Sequence, residues 1–469
     1  MNNKFPKNTR LALAALISAV FVSACNDSAD EDKQSKEPFA SRYQAKEYHP
    51  VLIQNATILT AAGEQIEQGS ILFQDGKIVA VGHDLDAHSD DDLEVIDADG
   101  KWITPGIIDV HSHLGVYPAP GVDSSSDGNE MVAPVTAEVW AEHSVWPQDP
   151  QFSLALAGGV TAMQILPGSG NLIGGRSVTV KNVAGRSVMD MKFPGAPYGL
   201  KMACGENPKR VYGNQGRAPM TRMGNVAGYR AAWIKAADYK KQWDSYNQSV
   251  ESGKPGKMPS RDLQLETLAG VLSGEILVHN HCYRADEMAV MIEIAKEFDY
   301  KISTFHHAIE SYKIADLLAE NEVCSAMWSD WWGFKHEAFD TVPENVALVE
   351  KAGACAVVHS DSAVGIQHLN KEAAKAMASG NKMGMDIKPE KAIEWITINA
   401  AKSIGVDEKT GSLEAGKMAD LVVWDGNPFS VYTKAEKVFI DGALMYDRHN
   451  ADLQPMSDFQ LGQFEDVVQ

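Results

Sequence analysis

Ile103-Thr104-Pro105-Gly106-Ile107-Ile108-Asp109-Val110-His111-Ser112-His113 is an apolar strand that ends in H-x-H. Side chains alternate along a strand, so His111 and His113 face the same side, and two imidazoles at one strand end can grip one metal ion. Before this stretch, from Val51 to Gly100, short alternating strands are separated by turn residues: VLIQNATIL, then GSILFQDGKIVAVG with an Asp75-Gly76 hairpin signal, then LEVIDADG. After it, over 103–405, apolar strand-length runs alternate with helical stretches, as in EILVHNH, RADEMAVMIEIAKEF, KISTFHH and IADLLAENE. That rhythm predicts βα units around a parallel sheet. Beyond residue 410 the chain returns to β with GSLEAGKMADLVVWDGNPF and KVFIDGALMY. The expected class is α/β, with the ends, 49–102 and 406–450, meeting as one small β-sandwich and a tail over 451–469. No internal repeat of solenoid period is present.

With 469 residues, 44% of them hydrophobic, the chain can bury a large core. Its first ten residues carry Lys4, Lys7 and Arg10 and no acid, and Leu11 to Val22 are apolar apart from Ser18. Twelve helical residues span roughly 18 Å against a hydrocarbon core of about 30 Å, so 1–24 reads as a signal segment and not a membrane span. Val22-Ser23-Ala24-Cys25 resembles the lipobox of bacterial lipoproteins, which implies cleavage before Cys25 and lipidation of it. Residues 25–48, rich in Asp, Glu, Lys and Ser, read as a solvated tether. The expectation is a protein held by a lipid anchor on the periplasmic side of a bacterial membrane; Asn26 after the cysteine favours the outer membrane. The net charge is −21, and removing residues 1–24, with three positive charges and no negative, leaves −24. Such a surface repels nucleic acid. Cys204, Cys282, Cys324 and Cys355 lack C-x-x-C spacing; an oxidising compartment would allow them to pair, in a connectivity the sequence does not give, but they read first as four isolated core thiols.

Preceded by P-G-I-I-D-V and a β-rich segment, the H-x-H resembles the first barrel strand of the amidohydrolase superfamily. Further matches follow in the order that resemblance demands. Ile276-Leu277-Val278-His279-Asn280-His281 precedes Cys-Tyr-Arg-Ala-Asp, similar to the H-x-Y-R-A-D of imidazolonepropionase-like members, with His281 at the ligand position. Ile302-Ser303-Thr304-Phe305-His306-His307, followed by Ala-Ile-Glu310, puts His307 in that family's H-x-x-E. Ala356-Val357-Val358-His359-Ser360-Asp361 ends in the matching carboxylate, Asp361. One residue of register would exchange these for His279, His306 and His359. The resemblance spans about Val51 to Tyr446 and implies a TIM-like (β/α)8 barrel over 103–405, with the site at its C-terminal mouth. Gly411-Ser412-Leu413-Glu414-Ala415-Gly416-Lys417-Met418-Ala419-Asp420 strengthens it at the far end, where Asp420 fixes a loop more readily than it does chemistry.

A further ligand stays open between two residues. Tyr198-Gly199-Leu200-Lys201 is similar to the segment of binuclear members whose lysine is carboxylated and bridges two metals, and Cys204-Gly205-Glu206-Asn207-Pro208 is similar to the L-E-G-P of deacetylases in which the glutamate is a ligand. The resemblance thus implies a divalent metal, zinc by default, one or two per chain, with Lys201 or Glu206 completing the set. It implies hydrolysis of a carbon–nitrogen bond by a metal-activated water, with Asp361 as the proton-transferring carboxylate.

Gly205-Glu206-Asn207-Pro208-Lys209-Arg210 and Thr221-Arg222-Met223 are polar segments that face substrate or serve as plain loops. Trp328, Trp331, Trp332 and Phe334 form an aromatic run after the seventh strand, fit to line an apolar pocket or to pack the loop. Tyr283, Arg284 and Arg222 are candidate substrate contacts. Either arginine, or Arg176, suits the carboxylate of a dipeptide or an N-acyl amino acid. The alternatives are a cyclic-amide hydrolase similar to imidazolonepropionase, and a non-catalytic surface binding protein that kept the fold. Oligomeric state is not legible.

Overall fold

Alternation of apolar side chains from Val51 onward builds a sheet to which both ends of the chain contribute. The computed structural model describes residues 39–85 and 92–454; Cys25, the signal segment, most of the tether and the end of the tail lie outside them. β1 (Val51–Leu59), β2 (Gln65–Gln74) and β3 (Lys77–Gly82) form an antiparallel meander. Asp75 and Gly76 make its tight turn at φ of 53° and 72°, the left-handed pair that a two-residue hairpin needs. β4 (Glu94–Asp97) and β5 (Trp102–Pro105) each run parallel to part of β1.

The next eight strands are the staves of a nearly closed barrel: β6 (Ile107–Ser112), β7 (Val160–Ile165), β8 (Ile173–Lys181), β9 (Tyr198–Ala203), β10 (Ile276–Cys282), β11 (Ile302–His307), β12 (Cys324–Met327) and β13 (Ala356–Val358), each beside its neighbour in sequence. β14 (Leu421–Trp424), β15 (Ala435–Ile440) and β16 (Ala443–Asp447) then return to the first sheet, β14 pairing antiparallel with β5. Among the described residues, the strand pairing that the sequence suggested as a sandwich is one continuous sheet. Its core joins Ile53, Ile58 and Phe73 to Leu421 and Phe439, each worth about 1.5–3 kcal/mol of burial.

The barrel departs from an all-parallel sheet at one stave, because β8 runs antiparallel to both β7 and β9. The connection 166–172 is too short for a crossover, which takes a dozen or more residues, so β8 must turn back as a hairpin. From β9 onward the staves are parallel and joined through helices. The helix Ala285–Glu297 buries Met288, Met291, Ile292 and Ala295, the 3–4 spacing of a helix lying on a sheet.

Among the described residues, no ladder joins β13 to β6. The seam is instead closed by Asp361 N–H donating to His111 O at 3.0 Å and by Ser360 N–H donating to Asp109 Oδ1 at 3.1 Å. Asp109 is fully buried, which pushes its carboxyl up to about 7 against the hydrogen bonds from Ser360 and His111. Asp420 fixes a loop: its carboxylate accepts from Lys181 at 3.2 Å, Thr410 Oγ at 2.8 Å and Asp441 N at 2.9 Å.

The four cysteines are not isolated thiols. Cys204 pairs with Cys282 across the ends of β9 and β10, and Cys324 with Cys355 across the starts of β12 and β13. Neighbouring strands hold their Cα atoms 5.2 and 4.4 Å apart, within bridging range.

Candidate metal centre

His111 and His113 leave the end of β6 with their Nε2 atoms 3.3 Å apart. His113 Nδ1 lies 2.9 Å from Leu166 O. A carbonyl only accepts, so Nδ1 carries a proton, and in the neutral ring Nε2 is bare. Asp361 Oδ1 stands 3.3 Å from His113 Nε2 and 3.6 Å from His111 Nε2. Lone pairs thus converge where no single proton serves them all, and a cation at their centre satisfies the set. Two overlapping groups, His111-His113-Asp361 and His111-His307-His359, hold their donor atoms within 4.8 Å of one another.

His307 Nδ1 lies 3.8 Å from Asp361 Oδ2 and 3.1 Å from His359 Nε2. His307 and Asp361 adopt φ of 69° and 49°. Left-handed backbone in a non-glycine residue costs on the order of 1–3 kcal/mol, a strain that clusters at functional sites. The ring of His281 sits 4.6 Å from that of His307, and both its nitrogens are buried without a hydrogen-bond partner. Buried polar atoms without partners are rare, and a metal is a partner that these nitrogens fit. Imidazole and carboxylate together suit zinc, iron or manganese.

The structure separates the two open candidates at the fourth barrel stave. Lys201, on β9, is buried with Nζ 3.2 Å from His111 Nε2. Glu206 begins the helix Glu206–Gly213 and turns to Lys335 Nζ at 3.6 Å. Burial pushes Lys201 down to about 7, with Asp361 opposing. Burial likewise holds His111, His281 and His307 well below the imidazole range and His359 at about 4, leaving them neutral donors. Burial would raise Asp361, but without a cation at the centre the hydrogen bond and charge of a protonated His113 ring, with His359 and Lys201, hold it below the usual carboxylate value.

Of the residues that a shift of register would exchange, only His359 joins the cluster. His279 and His306 point deeper, where His306 Nδ1 meets His111 Nδ1 at 2.9 Å and His279 Nδ1 meets His306 Nε2 at 3.0 Å.

Above the centre opens a cavity of about 440 Å³ whose wall includes His113, His281, His307 and Asp361. Tyr283 lines it, stacked on His307 with ring centroids 5.3 Å apart. A larger cavity, about 760 Å³, lies at the opposite strand ends around Ile276, Ile302 and Cys324, away from these donors.

The expected arginines do not line the mouth cavity. Arg222 is tied to Glu287 at 2.9 Å and to Glu337, Arg284 to Asp286 at 2.9 Å, and Arg176 donates to Thr267 Oγ1 at 2.8 Å while covering the Trp140 ring. Helix starts bring acids to the first two, so their forks are taken. Two other cations line the cavity, Arg210 and Lys335. Lys335 Nζ lies 3.9 Å over the Tyr283 ring and donates to Asn207 Oδ1 at 3.2 Å. Arg210 closes the polar run Gly205–Arg210 and Lys335 follows the aromatic run by one residue, signals that only the folded loops resolve.

The Amidohydrolase family matches residues 267–454. Amidohydrolase tasK of Hapsidospora irregularis is 31% identical over 430 residues, 85% of this chain but 43% of that protein, so the chain spans less than half of that relative's length. The imidazolonepropionase of Mesorhizobium japonicum is 23% identical, over 77% of this chain and 87% of that protein. A crystal structure of an amidohydrolase from Thermotoga maritima is 35% identical with a TM-score of 0.77, covering 85% of this chain and 100% of that one.

Proposed function

The chain belongs to the amidohydrolase family, and on that footing we propose that it is a metal-dependent hydrolase that cleaves a carbon–nitrogen bond in a small substrate bearing a carboxylate, such as a dipeptide or an N-acyl amino acid. The observation that carries this reading is the convergence of the Nε2 atoms of His111 and His113 on the Asp361 carboxylate at the floor of a cavity.

The ligands in this reading are His111, His113, His281, His307 and Asp361, completed by Lys201 and not by Glu206. A divalent ion, zinc by default, supplies an acidified water and polarises the scissile carbonyl. Asp361, ionised at neutral pH, takes the proton and returns it to the leaving nitrogen. Lys201 serves as a carbamate, formed when its neutral amine adds CO2 and releases a proton; a protonated ammonium has no lone pair for a metal. Burial that lowers its pKa to about 7 keeps that amine available.

Arg210 and Lys335 take the role first given to Arg222 and Arg284 and hold the substrate carboxylate. The test is a panel of dipeptides, N-acyl amino acids, their C-terminal amides and lactams, read for released amine. Acids should be turned over in preference to their amides, and Arg210→Ala should raise KM for the acids alone. Preference for neutral lactams would instead favour the cyclic-amide reading, which the likeness to imidazolonepropionase supports.

Export and anchoring through Cys25 belong to the same proposal. Two disulfides support it, since such bonds persist in oxidising compartments. Cys25→Ala should release the protein from membranes; unchanged attachment would refute the anchor.

A further inference from the structure

Behind the centre lies an unbroken chain of buried nitrogen contacts. His111 Nδ1 is 2.9 Å from His306 Nδ1, His306 Nε2 is 3.0 Å from His279 Nδ1, and His279 Nε2 is 3.1 Å from Gln164 Nε2. All four side chains are buried. Neither His279 nor His306 hydrogen-bonds to a carboxylate among the described residues. We infer that Gln164, His279 and His306 form a one-way hydrogen-bond relay that holds the proton of His111 on Nδ1 and so keeps its Nε2 lone pair turned toward the metal.

A neutral imidazole carries one N–H and one bare nitrogen, so a file of three can run in only two directions. In one, His111 Nδ1–H donates to His306 Nδ1, His306 Nε2–H donates to His279 Nδ1, and His279 Nε2–H points at Gln164, which must accept. In the other, Gln164 donates, every proton moves to the opposite nitrogen, and His111 ends with a hydrogen on Nε2. That hydrogen would point into the space shared by Lys201 Nζ at 3.2 Å and His113 Nε2 at 3.3 Å. The lone pair that a metal needs would then be gone.

The glutamine end admits the first direction once its amide is turned over. The oxygen and nitrogen of an amide are assigned from their partners, and Gln164 Oε1 has none where it stands. Turning the amide over brings Oε1 to His279 Nε2–H. These three are positioning residues: they touch no substrate, and act through His111.

The inference rests on the metal-centre reading, and the direction of the relay is measurable with or without metal. In the metal-free protein, 15N spectra of the histidine rings should show His279 and His306 protonated on Nε2 and His111 on Nδ1. The opposite tautomers overturn the proposal, whereas a failure to bind metal would strike the proposed function and leave the relay standing. Gln164→Glu keeps an acceptor and should hold zinc, in competition with a chelator, about as tightly as the parent protein. Gln164→Met keeps the length without the acceptor and should bind about 10–100-fold more weakly. If glutamate and methionine weaken binding equally in folded protein, the glutamine donates and the relay runs the other way.

Discussion

Lys201 Nζ lies 3.2 Å from His111 Nε2, while Glu206, five residues on, faces Lys335. Lys201→Ala should therefore lose metal, and activity of the parent protein should rise when bicarbonate is present during metal loading. Glu206→Ala should keep its full metal complement. Metal analysis of the two variants side by side decides the point: a full complement in Lys201→Ala excludes the lysine from the ligand set.

Asp361 is the carboxylate nearest both imidazoles of the H-x-H pair. Asp361→Asn keeps the shape and loses the proton-accepting charge. Steady-state turnover should fall about 10²-fold or more, with metal still bound. Near-full activity would move proton transfer elsewhere, to His307 or Glu206 first.

The Cys204–Cys282 disulfide sits just beyond Lys201 and immediately after His281 and spans 78 residues. Closing a loop of that length stabilises a fold by about 4 kcal/mol in the chain-entropy account. The double variant Cys204→Ser with Cys282→Ser should melt several degrees lower and bind zinc more weakly, because the two strand ends that carry Lys201 and His281 are no longer tied. An unchanged melting temperature together with unchanged zinc affinity would contradict this.

The residues that the structure brings together were legible because each ends an apolar run: alternation puts His111 and His113 on one side of β6, and His281, His307 and Asp361 close runs of strand length. Lys201 and Glu206 could not be separated, since nothing in the sequence marks where β9 ends between them; Lys201 falls within the strand and Glu206 begins the helix that follows. The reversal of β8 was hidden because Ile173–Lys181 reads as a buried strand in either direction; the short 166–172 connection is what forces it. The disulfides escaped because separations of 78 and 31 residues form no motif, and strand neighbours created their proximity. Arg222 and Arg284 looked free in sequence, yet the helix Ala285–Glu297 supplies Glu287 and Asp286 to them. Arg210, on the helix Glu206–Gly213, and Lys335, in a loop far along the chain, converge only in the folded chain.

The central claim is a metal centre that performs hydrolysis, and metal content measured together with activity tests it most directly. Purified protein should carry at least one tightly held divalent ion per chain. Chelation should abolish release of amine from N-acyl amino acids or dipeptides, and zinc should restore it. Trace metal in folded protein, with no hydrolysis of any amide in the panel after zinc is added, would contradict the account and leave a binding protein that kept the fold.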